Sequence, residues 1–472
     1  MRGLGLVYGI SFFSLWTQVE GLIGAQGIIP VANYLDSVLQ HYGASQLRLL
    51  PTLLWIDASD FALHLLCAVG VASSLSLITG FAPLAAAAVA WLIYLSLFVG
   101  GQDFLSFQWD LLLLETGYVS MFWMPLAFRP RRCWRQPAST AIQWVLRALM
   151  FRLMLSSGAV KLLSGDPSWS EFAALRFHYE TQPLPGPLSW FAHHLPAEVH
   201  TLEAVVMFVI ELVLPFAIFC GRRLRAIAAA GFALLQIGIV ATGNYGYFNV
   251  LTLLLCLPLL DDGHLRRLVG PQIPSRGSGW PRAVTFSSAA LLLWLGTTHL
   301  ATTLQLSTAW EPEPVRQARH WLEPLRLSNS YGLFAVMTQH RSEIAVEGSY
   351  DGKEWRRYAF RYKPGQVGDL PPLAGFHMPR LDWQMWFAAL RSFERTRWFS
   401  AFAARLLQGS PAVLELLAHN PFPDRPPAML RATRFSYRFT TPTERSINYH
   451  WWWAQETGPY SPILSLRRGS DN

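Results

Sequence analysis

The chain has 472 residues, of which 52% are hydrophobic and 14% charged, against roughly 25% charged in ordinary soluble domains. A soluble protein of this length would need more charge on its surface, and repeated apolar windows near the ~20 residues that cross a bilayer point to a polytopic α-helical membrane protein. The formal charge of +8 sits in short loops and over the last third of the chain; with no zinc-type Cys/His spacing, no phosphate-cradling loop and no nucleic-acid motif, it argues against a nucleic-acid partner.

In chain order, about nine spanning segments are expected, near residues 4–23, 61–78, 84–99, 107–128, 141–163, 202–220, 227–242, 248–260 and 284–304. The first reads as a retained helix, because Gln18 and Glu20 lie inside it and only Arg2 precedes it. The eighth is short, and is either tilted or re-entrant. The basic connections RPRRCWRQP (129–137), GRRLR (221–225) and HLRRLVGPQIPSRGSGWPR (264–282) all fall on the cytoplasmic side if the N-terminus does. The long loop 164–196 and GNYGYF (243–248), poor in Lys and Arg, then fall outside, as does everything after about residue 305. The expected division is a transmembrane domain over 1–304 and an extracytoplasmic domain over 305–472.

An ionised side chain at the bilayer centre costs at least about 2.5 to 3.5 kcal/mol, so the charges within these runs need partners. They are Glu20, Asp110, Glu115, Arg147, Arg152, Lys161, Glu203 and Glu211. Asp110 and Glu115 are separated by a step that turns about 140° on a helix and cannot face the same partner; Arg147 and Arg152 share that spacing. Two cross-helix ion pairs between the fourth and fifth spans are therefore expected, serving either as clamps or in chemistry. Lys161 closes the fifth span in SGAVKLLSGDPSW. Two readings stay open for it: an ammonium snorkelling to the interface, or an amine of lowered pKa acting as a base.

The following loop is rich in polar and aromatic groups, with Arg176, His178, Tyr179, Glu180 and Gln182 and then His193, His194 and His200. Its length and proline content suggest an ordered cap. The paired histidines lack the further ligands of a metal site, so no metal or cofactor is expected. Cys67, Cys133, Cys220 and Cys256 include no pair at short spacing, which argues against thiol–disulfide exchange.

Beyond residue 305 the pattern changes. SEIAVEGSYDGKEWRRYAFRY (342–362) is two alternating runs joined at Asp351-Gly352, a hairpin signal, and PAMLRATRFSYRFT (427–440) adds a strand. Between them, LDWQMWFAALRSFERTRWFSAFAARLL (381–407) is helical, and SPAVLELLAHN (410–420) opens with Ser at the N-cap and Pro at N1. An α+β domain with a β-sandwich-like sheet and a helical insertion is expected. Trp383, Trp386, Phe387 and Trp398 either pack on the sheet or form a surface for the membrane or a client protein. No G-x-S-x-G elbow is present.

The motifs NSYGLFAVMT, IAVEGSYDGKEW, PRLDWQMWFAAL and NPFP, together with FLSFQWDLLLLETG and SGAVKLLSGDPSW…HYETQPLP, resemble the lipase maturation factor family over nearly the whole chain. The resemblance implies a multi-pass membrane protein with a luminal C-terminal domain that helps secreted lipases reach their active form, in animals in the endoplasmic reticulum. The Ala-, Leu-, Arg- and Trp-rich composition points to a bacterial source, for which the equivalents are the inner membrane and periplasm. A second resemblance covers only GAVKLLSGDPSW, which is similar to a helix end of the vitamin K-dependent carboxylase and its bacterial relatives. It implies that Lys161 matches a base position, although the carboxylase's exported portion has no counterpart here. The expected function is a membrane-anchored maturation factor whose partners are the bilayer and a secreted client; the alternatives are a membrane enzyme acting on a lipophilic substrate, with Lys161 as base, and a transporter.

Overall fold

The computed structural model describes residues 1–43, 46–129, 139–261, 263–264 and 279–466. Cys133 and much of the basic stretches 129–137 and 264–282 lie outside the described residues. The apolar runs fold as helices, the first of them broken at Thr17 and Gln18 before a short separate helix over Val19–Ile23: α1 (Arg2–Trp16), α2 (Asp60–Thr79), α3 (Pro83–Gly100), α4 (Gln108–Met121), α5 (Thr140–Leu163), α6 (Ala197–Ala217), α7 (Arg222–Thr242), α8 (Tyr247–Leu259) and α9 (Arg282–Thr303). Among the described residues, five of them (α2, α3, α6, α7 and α9) are long and apolar enough to cross a membrane. The expected count of about nine is thus not confirmed. α1 and α4 are only 15 and 14 residues long, α8 is shorter still, and α5, at 24 residues, carries Arg147, Arg152 and Lys161.

Local chemistry sets several helix ends. The Ser59 side chain accepts from the Ala62 amide to start α2, and Gly80, at φ 79°, ends it in the left-handed conformation that glycine adopts without strain. α1 and α2 pack closely because each offers a small residue where the other is bulky: a Cβ on Gly70 would lie 2.5 Å from the Phe12 ring. Gly70→Leu is expected to cost about 1–3 kcal/mol through overpacking, read as a lowered unfolding midpoint of the protein in detergent; an unchanged midpoint would refute this packing.

The last third forms one four-stranded antiparallel sheet of β1 (Arg341–Ser349), β2 (Arg356–Arg357), β3 (Met429–Phe439) and β4 (Trp452–Pro459), in the order β2-β1-β3-β4. The hairpin forms where expected, but its second strand pairs over only two residues, Glu347 with Arg357 and Gly348 with Arg356. Immediately after it, Ala359 bridges to His419. The sandwich-like expectation is not met, since a single sheet forms among the described residues. β1 is buried along nearly its whole length, and α10 (Arg380–Ala389) packs against it in place of a second sheet. α11 (Arg397–Gln408) completes the helical insertion.

The aromatic residues of α10 and α11 turn inward. Trp383, Trp386 and Trp398 are buried and Phe387 is half-buried, so they do not form an exposed client or membrane surface. Trp383 stacks edge-on against Trp109 at 4.7 Å and Phe387 stacks on Phe107 at 5.5 Å, both partners belonging to the membrane half. One contiguous apolar core accordingly runs from Leu4, Tyr8 and Leu153 to Ile344, Trp383 and Phe399.

Candidate functional site

α6 is not a regular helix. Pro215 has no amide hydrogen to return to the Glu211 carbonyl, and the helix relaxes just before it into a π-helical turn over Val209–Val213, a distortion often found at functional positions. Gly158 on α5 makes room for that turn, since a Cβ there would sit 2.7 Å from Leu212 and 2.9 Å from the Glu211 Cβ. One turn further along α5, Lys161 meets Glu211, with Nζ 2.7 and 3.0 Å from the two carboxylate oxygens and 2.9 Å from the Ser157 carbonyl. Both side chains are buried. Lys161 therefore points into the protein and does not snorkel, and its three N–H donors are all engaged, which leaves no free amine for a base.

The acids of α4 each find a cation, on opposite faces. Glu115 pairs with Arg152 and also accepts from the Asn329 amide at 2.9 Å and the Tyr331 hydroxyl at 2.8 Å. Arg152 also donates to Ser328 Oγ at 2.6 Å. Asp110 does not meet Arg147. Its oxygens take Arg380 Nη1 and Nη2, each at 2.7 Å, together with the hydroxyls of Tyr94 at 2.6 Å and Tyr247 at 2.7 Å. Arg147 instead donates to the Pro258 carbonyl at 2.9 Å and lies beside the Trp144 ring. Near the end of the first apolar run, Glu20 is half-exposed and lies 3.2 Å from His64.

The cap is clamped from both sides. Arg341, buried at the start of β1, donates to the carbonyls of Glu180, Gln182 and Pro183. The Glu180 carboxylate accepts from the Phe439 amide at 2.9 Å, and burial raises its pKa against the lowering effect of that amide and of nearby Arg341. Gln182 accepts from Tyr245 and donates to the Thr242 carbonyl. Among the described residues Glu203 meets no lysine or arginine; it takes the Tyr179 hydroxyl at 3.0 Å and His200 at 3.2 Å. Asp166 accepts from the Met337 amide at 2.6 Å, tying SGDPSW to the loop ahead of β1.

Burial pushes the pKa of both His178 and His193 down to about 4, aided by the charge of Lys161 for the first and by His194 and His200 for the second. Between pH 6.5 and 4 the unfolded chain therefore binds more protons than the folded one, so stability falls as the pH drops through that window. The unfolding midpoint is expected to decline from about pH 6.5 downward and to decline less in His193→Phe; a decline that begins only below pH 4 would exclude these histidines as its source.

Beside Lys161 and Glu211 lies a cavity of about 510 Å³ lined mainly by apolar side chains, including Leu153, Met154, Met207, Leu235, Phe248 and Phe334, with His178 and Tyr179 in its wall. Among the described residues no three His, Cys, Asp or Glu side chains come together to hold a metal. Cys67 and Cys256 are buried and Cys220 is exposed, all three as free thiols. Sequence reasoning missed Arg380, Arg341, Asn329, Tyr94 and Tyr247. The available signal was in PRLDWQMWFAAL, where an arginine opens an otherwise apolar helix, and in NSYG, a polar motif shortly after the last apolar run.

Apolar helices with paired charges between them, joined through one core to a C-terminal sheet unit, define a multi-pass membrane protein whose two halves are tied by buried polar contacts. The family model described as the lipase maturation factor transmembrane domain matches residues 1–267, and that of the lipase maturation factor C-terminal domain matches 327–462. Lipase maturation factor 2 of Mus musculus is 36% identical over 584 aligned residues, covering 99% of this chain and 82% of the relative. Lipase maturation factor 1 of Bos taurus is 36% identical over 504 residues, covering 98% and 88%, and that of Homo sapiens 33% over 502, covering 99% and 87%. The chain belongs to the lipase maturation factor family. No solved structure matches it.

Proposed function

We propose that this protein is a membrane-anchored maturation factor that helps a secreted lipase fold and assemble. The observation that carries this reading is the match to relatives named lipase maturation factor over 98–99% of the chain, through both the helical half and the sheet unit. The ion pairs support it as well: Asp110, Glu115 and Glu211 each hold a cation inside the protein, as in a scaffold whose charges set its own geometry. In this reading residues 1–304 anchor the protein with the N-terminus in the cytoplasm. The unit over 305–472 faces the periplasm of a bacterial inner membrane, or the lumen in eukaryotic relatives, where a client emerges.

The test is co-expression with a secreted lipase in cells lacking their own family member. The active fraction of exported lipase is expected to rise several-fold with the intact chain, at unchanged lipase synthesis; an unchanged active fraction would refute the proposal. Reporter fusions after residue 305 test the orientation, with activity expected only from a reporter that functions outside the cytoplasm.

A further inference from the structure

The cavity beside Lys161 has features that a maturation factor acting only through protein contacts does not require. Its 510 Å³ lies within the roughly 300–1,000 Å³ typical of small-molecule sites. It also reaches the surface. Val206 on α6 and Leu234, Gly238 and Ala241 on α7 line it and are exposed.

The geometry of α7 shows where it opens. Gly231 and Gly238 are two turns apart and share a face. At Gly231 the helices touch, since a Cβ there would run into Leu214 of α6; at Gly238 a Cβ would meet no atom within 4 Å. α6 and α7 thus meet near Leu214 and part toward the cap. Both are among the helices long and apolar enough to span, and their outer faces expose Val205, Val209, Phe216, Ile227, Leu234 and Ile237. A gap between two such faces is bathed by acyl chains, with water excluded.

The polar groups inside select the head. Glu211 and the Ser157 carbonyl occupy every donor of Lys161, and the ion pair carries no net charge to offer an anion. His178 is different. Among the described residues no group hydrogen-bonds to its ring, which packs edge-on against Phe334 at 5.1 Å, and burial keeps it neutral. A neutral imidazole offers one donor and one acceptor, which suits a hydroxyl or ester better than a phosphate.

We infer that the cavity between α5, α6 and α7 is a lipid site, entered sideways from the bilayer at Gly238, which takes the acyl chain of a lipid with an uncharged head and presents that head to His178. The proposal is separate from the handling of a client protein and stands or falls independently of it.

Full-length protein in detergent micelles is titrated with radiolabelled dioleoylglycerol, and with dioleoyl phosphatidic acid as the charged counterpart. The neutral lipid is expected to bind at about one per chain, and the phosphatidic acid at least about tenfold more weakly. Gly238→Trp and Val206→Trp, which obstruct the mouth from opposite helices at exposed positions, are each expected to weaken binding about tenfold or more while leaving the unfolding midpoint in place. His178→Phe, which keeps the wall apolar, is expected to weaken the neutral lipid about fivefold and to narrow its preference over phosphatidic acid. Equal binding by the wild type and both mouth variants would overturn the site, and equal binding of the two lipids would overturn the choice of head.

Discussion

Arg380→Met is expected to destabilise the protein by about 3–5 kcal/mol, the usual consequence of removing one partner from a buried ion pair. Asp110 is fully buried and Arg380 nearly so, so the variant leaves a carboxylate far from water with only the hydroxyls of Tyr94 and Tyr247 as donors. The loss concentrates at the junction of the two halves. The Arg380 amide donates to Gln18 at 2.9 Å and the Met378 amide to Ser14 at 2.9 Å, while Gln18 donates back to the Met378 carbonyl at 2.8 Å. The unfolding midpoint of the purified protein should fall, and limited proteolysis should cut near residues 374–378 before the helical half is digested. The double variant Asp110→Leu/Arg380→Met removes both charges and is expected to recover most of the loss. A single variant as stable as the wild type, or a double variant no better than the single, would show that the pair is not what couples the halves.

Glu115→Ala should have an effect of similar size by a different route. Glu115 is the acceptor for Arg152, for the backbone and side chain of Asn329 and for Tyr331, so its loss strands one buried cation and several donors at once. Each unsatisfied buried donor costs about 1–3 kcal/mol, and a charged one more. Glu115→Gln keeps a carbonyl oxygen for Asn329 and Tyr331 but loses the charge, and its loss should be roughly half that of the alanine variant. Hydrogen exchange of the amides of 328–332 distinguishes this from a general loosening: their protection should fall first in both variants. If exchange rises equally throughout the helices, the segment is not held by Glu115.

The elements of this fold were legible because their signals are local. An apolar run cannot rest in water and folds as a helix whatever its neighbours, and alternation around Asp351-Gly352 specifies a hairpin through backbone geometry alone. RRYAFRY alternates throughout and so predicts a longer second strand, yet Tyr358 is its last residue whose amide donates to β1, through the Val346 carbonyl. Ala359 then turns to His419, a partner 60 residues away that alternation cannot specify. The π-helical turn in α6 was open to inference from Pro215, but its direction was not, because the side of the helix that bulges depends on the space Gly158 leaves on α5.

The charges followed the same division. That Asp110, Glu115, Arg152, Lys161 and Glu211 needed partners came from the sequence by itself, through the cost of an unpaired charge in an apolar run. It also determined that Asp110 and Glu115 look in different directions, since five residues on a helix turn through more than a third of a circle. Which cation answers each acid was decided only by tertiary structure. Arg380 reaches Asp110 across 270 residues of chain, and Glu211 reaches Lys161 across 50. Pairing energy depends on distance and burial in space, and neither is written in the spacing of the residues along the chain.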